Sequence, residues 1–154
     1  MSAERDIRLV FSVDVEEEGL FTGRYDSEAK GVLNVSSLSR LEFLTREFDF
    51  PLTLLCTWPV LTNADCAVQL RRWQDELNAE IGLHLHPWNT TPIRPLSTAW
   101  TPSECLSPDE LAAKLKNLVA ACQEVTGREP RSFRMGRFDL GPRIRDLLPA
   151  HGIQ

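Results

Sequence analysis

The sequence lacks several features that would assign the chain to a compartment or a class of partner. It has no apolar run near the ~20 residues that a membrane-spanning helix requires, and its first residues lack the apolar centre of a signal peptide. Its net charge is −5, which makes nucleic acid or an anionic membrane an unfavourable partner. We therefore expect a cytoplasmic protein that binds neither nucleic acid nor membrane.

Cysteine pairs at metal-binding spacing are also missing. The four cysteines show no Cys-x-x-Cys pattern, which argues against a thiolate metal site. In a cytoplasmic protein thiols stay reduced. We expect all four to be free thiols in the core or in loops: Cys56, Cys66, Cys105 and Cys122.

Strand-like and helical segments alternate four times along the 154 residues. The strand-like runs are apolar and rich in β-branched residues, and they cover residues 7–15, 51–57, 80–86 and 131–134. The helical patterns between and after them cover residues 38–48, 66–77, 107–127 and 142–150. Such alternation predicts an α/β fold with a mostly parallel sheet, in which chemistry gathers at the carboxyl ends of the strands.

Two segments carry the signature of a helix start. Residues 107–110 (SPDE) combine an N-cap serine, a proline at the first helical position and a glutamate at the third, and Gly127 marks the end of that helix. Residues 39–42 (SRLE) form a second candidate capping box. The proline-rich stretch at 87–108 predicts a long surface loop.

The first polar cluster follows the first strand. Because side chains alternate along a strand, Asp14 and Glu16 share one face with Ser12. Two carboxylates on one side are costly unless a cation, a proton or water lies between them. The alternative is that the strand has already ended and residues 16–18 (EEE) form a solvated acidic turn.

The second cluster ends the third strand. The same alternation places His84 and His86 on one face and the leucines beside them on the other. Two imidazoles and a carboxylate form a common open site for a divalent metal. The alternative is a pair of partly exposed histidines at a strand edge, but acidic residues on a neighbouring strand favour the metal site.

The third cluster lies at the end of the fourth strand, where Gly136 separates Arg134 from Arg137. A glycine there allows a close backbone approach, and the arginines bring positive charge to the mouth of the site. Such an arginine holds a general-base carboxylate ionised or binds a polar substrate group. The alternative is a surface arginine paired with Asp139 or Asp146.

Taken in order, these clusters resemble the first three motifs of the polysaccharide deacetylase (NodB-homology) family. The matching segments are residues 11–16 (FSVDVE), 80–88 (EIGLHLHPW) and 133–137 (FRMGR), and residues 53–57 resemble that family's second strand. The resemblance covers most of the chain. It implies a distorted (β/α) barrel and a metal-dependent hydrolase that removes acetyl or related acyl groups from amide nitrogen.

The resemblance also implies roles for individual residues. Asp14 matches the general base, and Glu16 is the expected carboxylate ligand of the metal. His84 matches the first ligand histidine, and Arg134 matches the arginine that orients the base. The expected cofactor is a divalent metal, with zinc favoured and cobalt or nickel as alternatives.

The sequence departs from the family pattern at several points. The family's second ligand histidine falls at the position of Trp88, so His86 takes its place as the second imidazole ligand. Trp88 and Arg137 are then candidates for substrate binding. The later motifs, which supply the family's general acid, have no counterpart after Arg137.

A (β/α) barrel takes ~200 residues or more, so we expect residues 1–154 to be one NodB-like domain and an N-terminal fragment of a longer barrel, with about four βα units. An incomplete barrel leaves open sheet edges, through which self-association is possible. The expected partner is a carbohydrate or a small acylated substrate. Two alternatives to a carbohydrate deacetylase remain: a non-catalytic module that binds a glycan or a protein, and an amidase for a small molecule.

Overall fold

Four parallel strands form the sheet in the computed structural model, which describes residues 8–22, 25, 27, 31–93 and 102–153. Neighbours in space are also neighbours in sequence, so each strand is followed by a crossover on the way to the next. This is the arrangement of consecutive βα units in part of a (β/α) barrel, and it confirms the predicted fold class. The strands are β1 (Phe11–Val15), β2 (Leu52–Cys56), β3 (Glu80–Leu85) and β4 (Phe133–Met135).

Five α-helices and several 3₁₀ segments connect or follow the strands within the described residues. The α-helices are α1 (Glu42–Phe48), α2 (Trp58–Leu61), α3 (Ala64–Glu76), α4 (Pro108–Thr126) and α5 (Pro142–Leu147). The 3₁₀ segments are Leu20–Thr22, Leu33–Leu41, Ser103–Cys105, Gly136–Phe138 and Leu148–His151. Among the described residues no helix is both long and apolar enough to cross a membrane.

The hydrophobic core lies between the sheet and the helices. The stripe predicted for α3 is buried from Cys66 through Leu77, and α4 packs its leucines against β3. Burial of each such side chain stabilises the fold by about 1.5–3 kcal/mol. The apolar side chains of the strands face the helices and form this core. The polar side chains of the strands therefore lie on the other face of the sheet or at the strand ends.

The ends of two helices test the predicted signals. The capping box at Ser107 is confirmed, because its hydroxyl accepts from the Glu110 amide and the Glu110 carboxylate accepts from the Ser107 amide. Gly127 ends α4 in the left-handed conformation at φ 67°. The second candidate, at Ser39, is wrong because its hydroxyl donates to the Ser36 carbonyl inside a 3₁₀ segment. The carboxylate of Glu42 instead binds arginine side chains.

The first strand is shorter than expected. The predicted run began at Ile7, which lies outside the described residues, whereas β1 begins at Phe11. Leu9 and Val10 are 67% and 75% exposed and pair with no strand. β1 and β4 form the two edges of the sheet. Nothing in the described part of the chain supports self-association through these edges, which stays an expectation from the sequence.

A buried lysine on α4 fixes the segment that follows β3. Lys114 is 2% exposed, and its ammonium group donates to the carbonyl oxygens of Thr90 and Pro92 at 2.6 and 2.7 Å. One turn further along α4, the Asn117 amide donates to the carbonyl and hydroxyl oxygens of Thr91. The loop after the two histidines is therefore held by side chains from a long, well-packed helix.

We expect Lys114→Met to lower the free energy of unfolding by about 2–3 kcal/mol, because two carbonyl oxygens lose a charged donor in a buried place. Urea denaturation measures the change. Lys116→Met, on the exposed side of the same helix, is the matched control and should change stability by no more than ~0.5 kcal/mol. Equal effects at both positions would contradict the anchoring role.

The cysteines are free, as expected. Cys56, Cys66 and Cys122 are buried, whereas Cys105 is exposed. Burial raises the pKa of the Cys122 thiol to about 12 and raises the pKa of the other two buried thiols above its usual value. Because the thiolate is the reactive form, these three thiols should react slowly in the folded protein.

Thiol labelling tests this arrangement of the core. We expect one thiol of the native chain to react rapidly with an aromatic disulfide reagent and all four to react in denaturant. Cys105→Ser should remove the rapid phase and leave the slow ones, as followed by absorbance. A rapid phase that survives this substitution would show that one of the three core cysteines is accessible.

Candidate metal centre

The three polar clusters predicted from the sequence meet at the carboxyl ends of the strands. Asp14 and Glu16 come from the end of β1, His84 and His86 from the end of β3, and Arg134 from β4. All five side chains line one cavity of about 420 Å³. Parallel pairing brings them together, since the carboxyl ends of adjacent parallel strands lie at one edge of the sheet.

Glu16, His84 and His86 form a triangle of metal-ligand atoms. Oε2 of Glu16 lies 3.4 Å from Nε2 of His84 and 3.4 Å from Nε2 of His86. Each of the three residues offers one ligand atom, and these atoms all lie within 4.8 Å of one another. Both imidazoles are buried, at 2% exposed each, while Glu16 is partly open to the cavity.

The donor set fits a tetrahedral divalent metal. Ligands at about 2.0–2.1 Å from zinc in tetrahedral geometry lie roughly 3.3–3.4 Å from each other, which matches the two carboxylate–imidazole separations. One carboxylate and two imidazoles also leave an open position for water or substrate, as catalytic zinc sites do. The residues present therefore suit zinc, and the same nitrogen and oxygen donors accept cobalt or nickel.

The hydrogen-bond partner of Nδ1 determines which ring nitrogen of His84 carries the proton. Nδ1 of His84 lies 3.1 Å from the backbone oxygen of Arg134. A carbonyl oxygen only accepts, so this contact assigns the proton to Nδ1. The unprotonated Nε2 is then the atom that faces Glu16, as a metal ligand requires.

Asp14 and Arg134 form an ion pair beside this triangle. Nη1 of Arg134 donates to Oδ1 of Asp14 at 2.6 Å, and Nη2 donates to the Ser12 hydroxyl at 2.5 Å. The side chains of Asp14 and Arg134 are 27% and 29% exposed. The alternative in which Arg134 pairs with Asp139 is wrong, because Oδ2 of Asp139 accepts from the Ser103 amide instead.

Glu17 is the residue that the sequence analysis did not single out. It belonged to the possible solvated acidic turn, but it is only 5% exposed. Its Oε1 lies 3.1 Å from Nδ1 of His86, and its Oε2 accepts from the Thr57 hydroxyl at 3.0 Å. The solvated-turn alternative is therefore wrong for Glu17. Glu17 directly follows Glu16, just past the end of β1. Side chains no longer alternate strictly between the two faces there, and this position was the only signal in the sequence that Glu17 turns inward.

The pKa values of these groups reflect burial opposed by neighbouring partners. Burial raises the pKa of Glu16, but the neighbouring imidazoles of His84 and His86 outweigh burial and lower it to about 2. The same opposition, with His86 and Thr57 as partners, lowers the pKa of Glu17. Burial lowers the pKa of His86, whereas the two carboxylates raise it by a larger amount. The carboxylates are thus ionised and available as ligands near neutral pH.

Gly136 allows the close backbone approach expected at the end of β4. A Cβ atom on this residue would collide with Cδ2 of His86 and lie 3.0 Å from the Leu85 carbonyl oxygen. The next two residues, Arg137 and Phe138, are non-glycine residues at φ 59° and 55°. Such left-handed backbone costs about 1–3 kcal/mol where the surroundings impose it, and it clusters at functional sites.

Aromatic side chains line the cavity next to His86. Trp88 is 3% exposed, and its ring stacks on the His86 ring with centroids 4.3 Å apart. The Tyr25 ring lies against Trp88 in a tilted arrangement, with centroids 4.7 Å apart. The Arg137 guanidinium lies 5.4 Å from the centre of the Tyr25 ring, while Phe138 at the rim is 81% exposed. Trp88 and Arg137 both line the cavity, and substrate binding by them stays a prediction.

We expect Gly136→Ala to displace the His86 ring, because the new methyl group meets the imidazole and the Leu85 backbone. The free energy of unfolding should fall by about 1–3 kcal/mol, as measured by urea denaturation. Gly141→Ala is the matched control, since the atoms nearest to its methyl group belong to the side chain of Glu104, which is exposed and flexible. A variant at 136 as stable as the control would show that the His86 ring has room to move.

Comparison with solved structures identifies the fold. A family 4 acetyl xylan esterase from Clostridium thermocellum, in complex with a cobalt ion, is 15% identical, with a TM-score of 0.59 over 90% of this chain and 53% of the esterase chain. A peptidoglycan deacetylase from Bacillus subtilis is 13% identical, with a TM-score of 0.55 over 94% of this chain and 55% of the other. A CE4 family pseudoenzyme from Bacillus anthracis is 14% identical, with a TM-score of 0.57 over 94% and 41%.

These likenesses show that the chain has the NodB-type deacetylase fold. No protein-family model matches the sequence, and no curated protein matches it. The chain spans about half the length of the structures it resembles. The architecture is therefore that of a partial (β/α) barrel of the deacetylase type, as the motifs predicted.

Proposed function

We propose that this chain carries the metal-binding part of a hydrolase that removes acetyl or related acyl groups from the amide nitrogen of a carbohydrate. The supporting observation is the triangle of Glu16, His84 and His86 beside the Asp14–Arg134 ion pair. A divalent metal supplies a Lewis acid that polarises a carbonyl and eases the deprotonation of water. The donor set favours zinc, with cobalt or nickel as alternatives.

Asp14 is the proposed general base of this reaction. Its hydrogen bond and its ion pairs among the described residues all involve Oδ1, so Oδ2 remains to accept a proton. The guanidinium of Arg134 holds the carboxylate in place through the contact at Oδ1. Oδ1 also lies 3.8 Å from Nδ1 of His84, which places the base next to the ligand set.

The general acid and much of the substrate surface belong, in this proposal, to a larger barrel. Residues 1–154 form one NodB-like domain that we infer to be an N-terminal piece of that barrel. Support comes from the coverage of the similar structures, which is about half of each, and from the two strands at the sheet edges. Trp88 and Arg137 would then contribute to a substrate surface shared with the rest of the barrel, in a cytoplasmic enzyme.

A non-catalytic module is the second candidate function. One of the similar structures is a CE4 family pseudoenzyme, so this fold also occurs without activity. In this chain Trp88 occupies the place of the family's second ligand histidine, and His86 must serve instead. A module of this kind would bind a glycan or a protein partner and would fold without metal.

Metal binding tests the proposal directly. We expect the purified chain to bind one equivalent of Zn²⁺, as measured by isothermal titration calorimetry, and to show a tetrahedral absorption spectrum with Co²⁺. The double substitution of His84→Ala with His86→Ala should abolish both signals because it removes two of three ligands. His151→Ala is the control, since this third histidine lies in the last 3₁₀ segment.

Circular dichroism separates loss of ligands from loss of fold. The double variant should retain its helix content, because α3 and α4 pack through apolar side chains of the core. A double variant that keeps its metal would show that the ligands are wrong. A wild-type chain without metal affinity would favour the non-catalytic module.

Asp14→Asn tests the general base. In a preparation that releases acetate from an N-acetylated oligosaccharide, this substitution should lower turnover by ~100-fold or more, while Zn²⁺ affinity changes little. Glu47→Gln, at an exposed carboxylate of α1, should leave turnover unchanged. Unchanged turnover in Asp14→Asn would exclude Asp14 as the base, and simultaneous loss of zinc would make it a ligand instead.

A further inference from the structure

Glu17 is a buried carboxylate that the proposed reaction does not use. It is held by hydrogen bonds from three directions: Oε2 accepts from the Thr57 hydroxyl at 3.0 Å, and Oε1 accepts from the Asn89 amide at 2.5 Å and contacts Nδ1 of His86 at 3.1 Å. Thr57, Asn89 and His86 are themselves at most 2% exposed. A buried charge is costly unless hydrogen bonds or ion pairs compensate for its lost hydration. Both oxygens of the Glu17 carboxylate have such partners.

The contact with Glu17 determines which nitrogen of His86 carries a proton. An ionised carboxylate only accepts hydrogen bonds, so Nδ1 of His86 donates to it. Nε2 is then unprotonated in the neutral ring, and this is the atom that lies 3.4 Å from Oε2 of Glu16. The Trp88 ring stacked on the imidazole limits its tilt, so Glu17 and Trp88 together orient Nε2.

The two histidines differ in the partner behind them. Nδ1 of His84 donates to the backbone oxygen of Arg134, a neutral acceptor, whereas Nδ1 of His86 donates to a carboxylate. A charged acceptor makes a stronger hydrogen bond and increases the basicity of the ring. Nε2 of His86 should therefore be the more strongly donating of the two imidazole nitrogens.

The charges around the cavity agree with this role. Three carboxylates, of Asp14, Glu16 and Glu17, lie in or beside the cavity with two guanidiniums, of Arg134 and Arg137. With neutral imidazoles the carboxylates outnumber the guanidiniums, so the cluster is negative and attracts a cation. Glu17 adds to this attraction although its oxygens are bonded to Thr57, Asn89 and His86 and do not point at the ligand triangle.

We propose that Glu17 is a positioning residue of the metal centre, which fixes His86 with Nε2 toward the metal and raises the affinity for a divalent cation. This inference rests on the proposed function in one respect, namely that Glu16, His84 and His86 bind a metal. Partners of this kind typically change metal affinity by about 10- to 100-fold when they are removed. The alternative is that Glu17 only stabilises the fold.

The first experiment reads the His86 proton without any metal. Long-range ¹H–¹⁵N spectra of the ¹⁵N-labelled chain, at a pH where the imidazoles are neutral, report the protonated nitrogen of each histidine. The chain has three histidines, so His151→Asn and His84→Ala assign the signals. We expect the His86 proton on Nδ1 in the wild type and in Glu17→Gln, and its redistribution toward Nε2 in Glu17→Leu.

The second experiment measures Zn²⁺ affinity by competition with a chromophoric chelator. Glu17→Gln keeps an acceptor but removes the charge and should weaken binding by about 10-fold or more, and Glu17→Leu should weaken it further. Thr57→Val is the matched control, because it deletes a hydrogen bond to Glu17 without touching His86. It should lower the urea midpoint while Zn²⁺ affinity stays within about threefold of wild type.

The outcomes separate the two proposals. Wild-type affinity in both Glu17 variants, or a His86 proton on Nε2 in the wild type, would overturn the role of Glu17. Equal losses of affinity in Thr57→Val and Glu17→Gln would also overturn it, because they would reflect stability alone. A wild-type chain that binds no Zn²⁺ would instead refute the proposed metal centre itself, whatever the His86 spectrum shows.

Discussion

Parallel pairing of four consecutive strands is the constraint on which the site depends. The register places His84 opposite Arg134 and Asp14 opposite Leu55, so residues far apart in sequence arrive at one edge of the sheet. The leucine-rich face of α4 and the stripe on α3 hold the opposite face of the sheet. A shift of one residue in any strand would turn its polar side chains toward that core.

This arrangement brings several carboxylates close together, and neighbouring side chains compensate for their charges. Each carboxylate near the cavity has a cationic or hydrogen-bonding partner: Asp14 has Arg134, Glu16 has the two imidazoles, and Glu17 has His86, Thr57 and Asn89. Without those partners burial would favour the neutral acids of Glu16 and Glu17. The cluster is consequently preorganised for a cation, since its ligand atoms need little rearrangement to meet one.

The proposed site is built from strands that form only part of a barrel. The proposed ligands, base and arginine all come from the first, third and fourth strands, whereas β2 contributes the threonine that holds Glu17 through the turn after its end. The similar structures are about twice as long, and the sheet of this chain ends at β1 on one side and β4 on the other. The proposal therefore separates metal binding, which would need these strands alone, from catalysis, which would need further groups.

Periodicity and local signals in the sequence determined the α/β class, the four strands, the capped start of α4 and the clustering of Asp14, Glu16, His84 and His86. These features depend on neighbours within a few residues or on the alternation of a strand, which a sequence displays. Tertiary structure alone decided that Glu17 is buried behind His86, that Trp88 covers that imidazole, and that Ser39 lies within a 3₁₀ segment. The position of Glu17 depends on Thr57, Asn89 and His86, which are distant from it in the chain. It also depends on the backbone turning after a strand ends, where the alternation of faces no longer predicts direction.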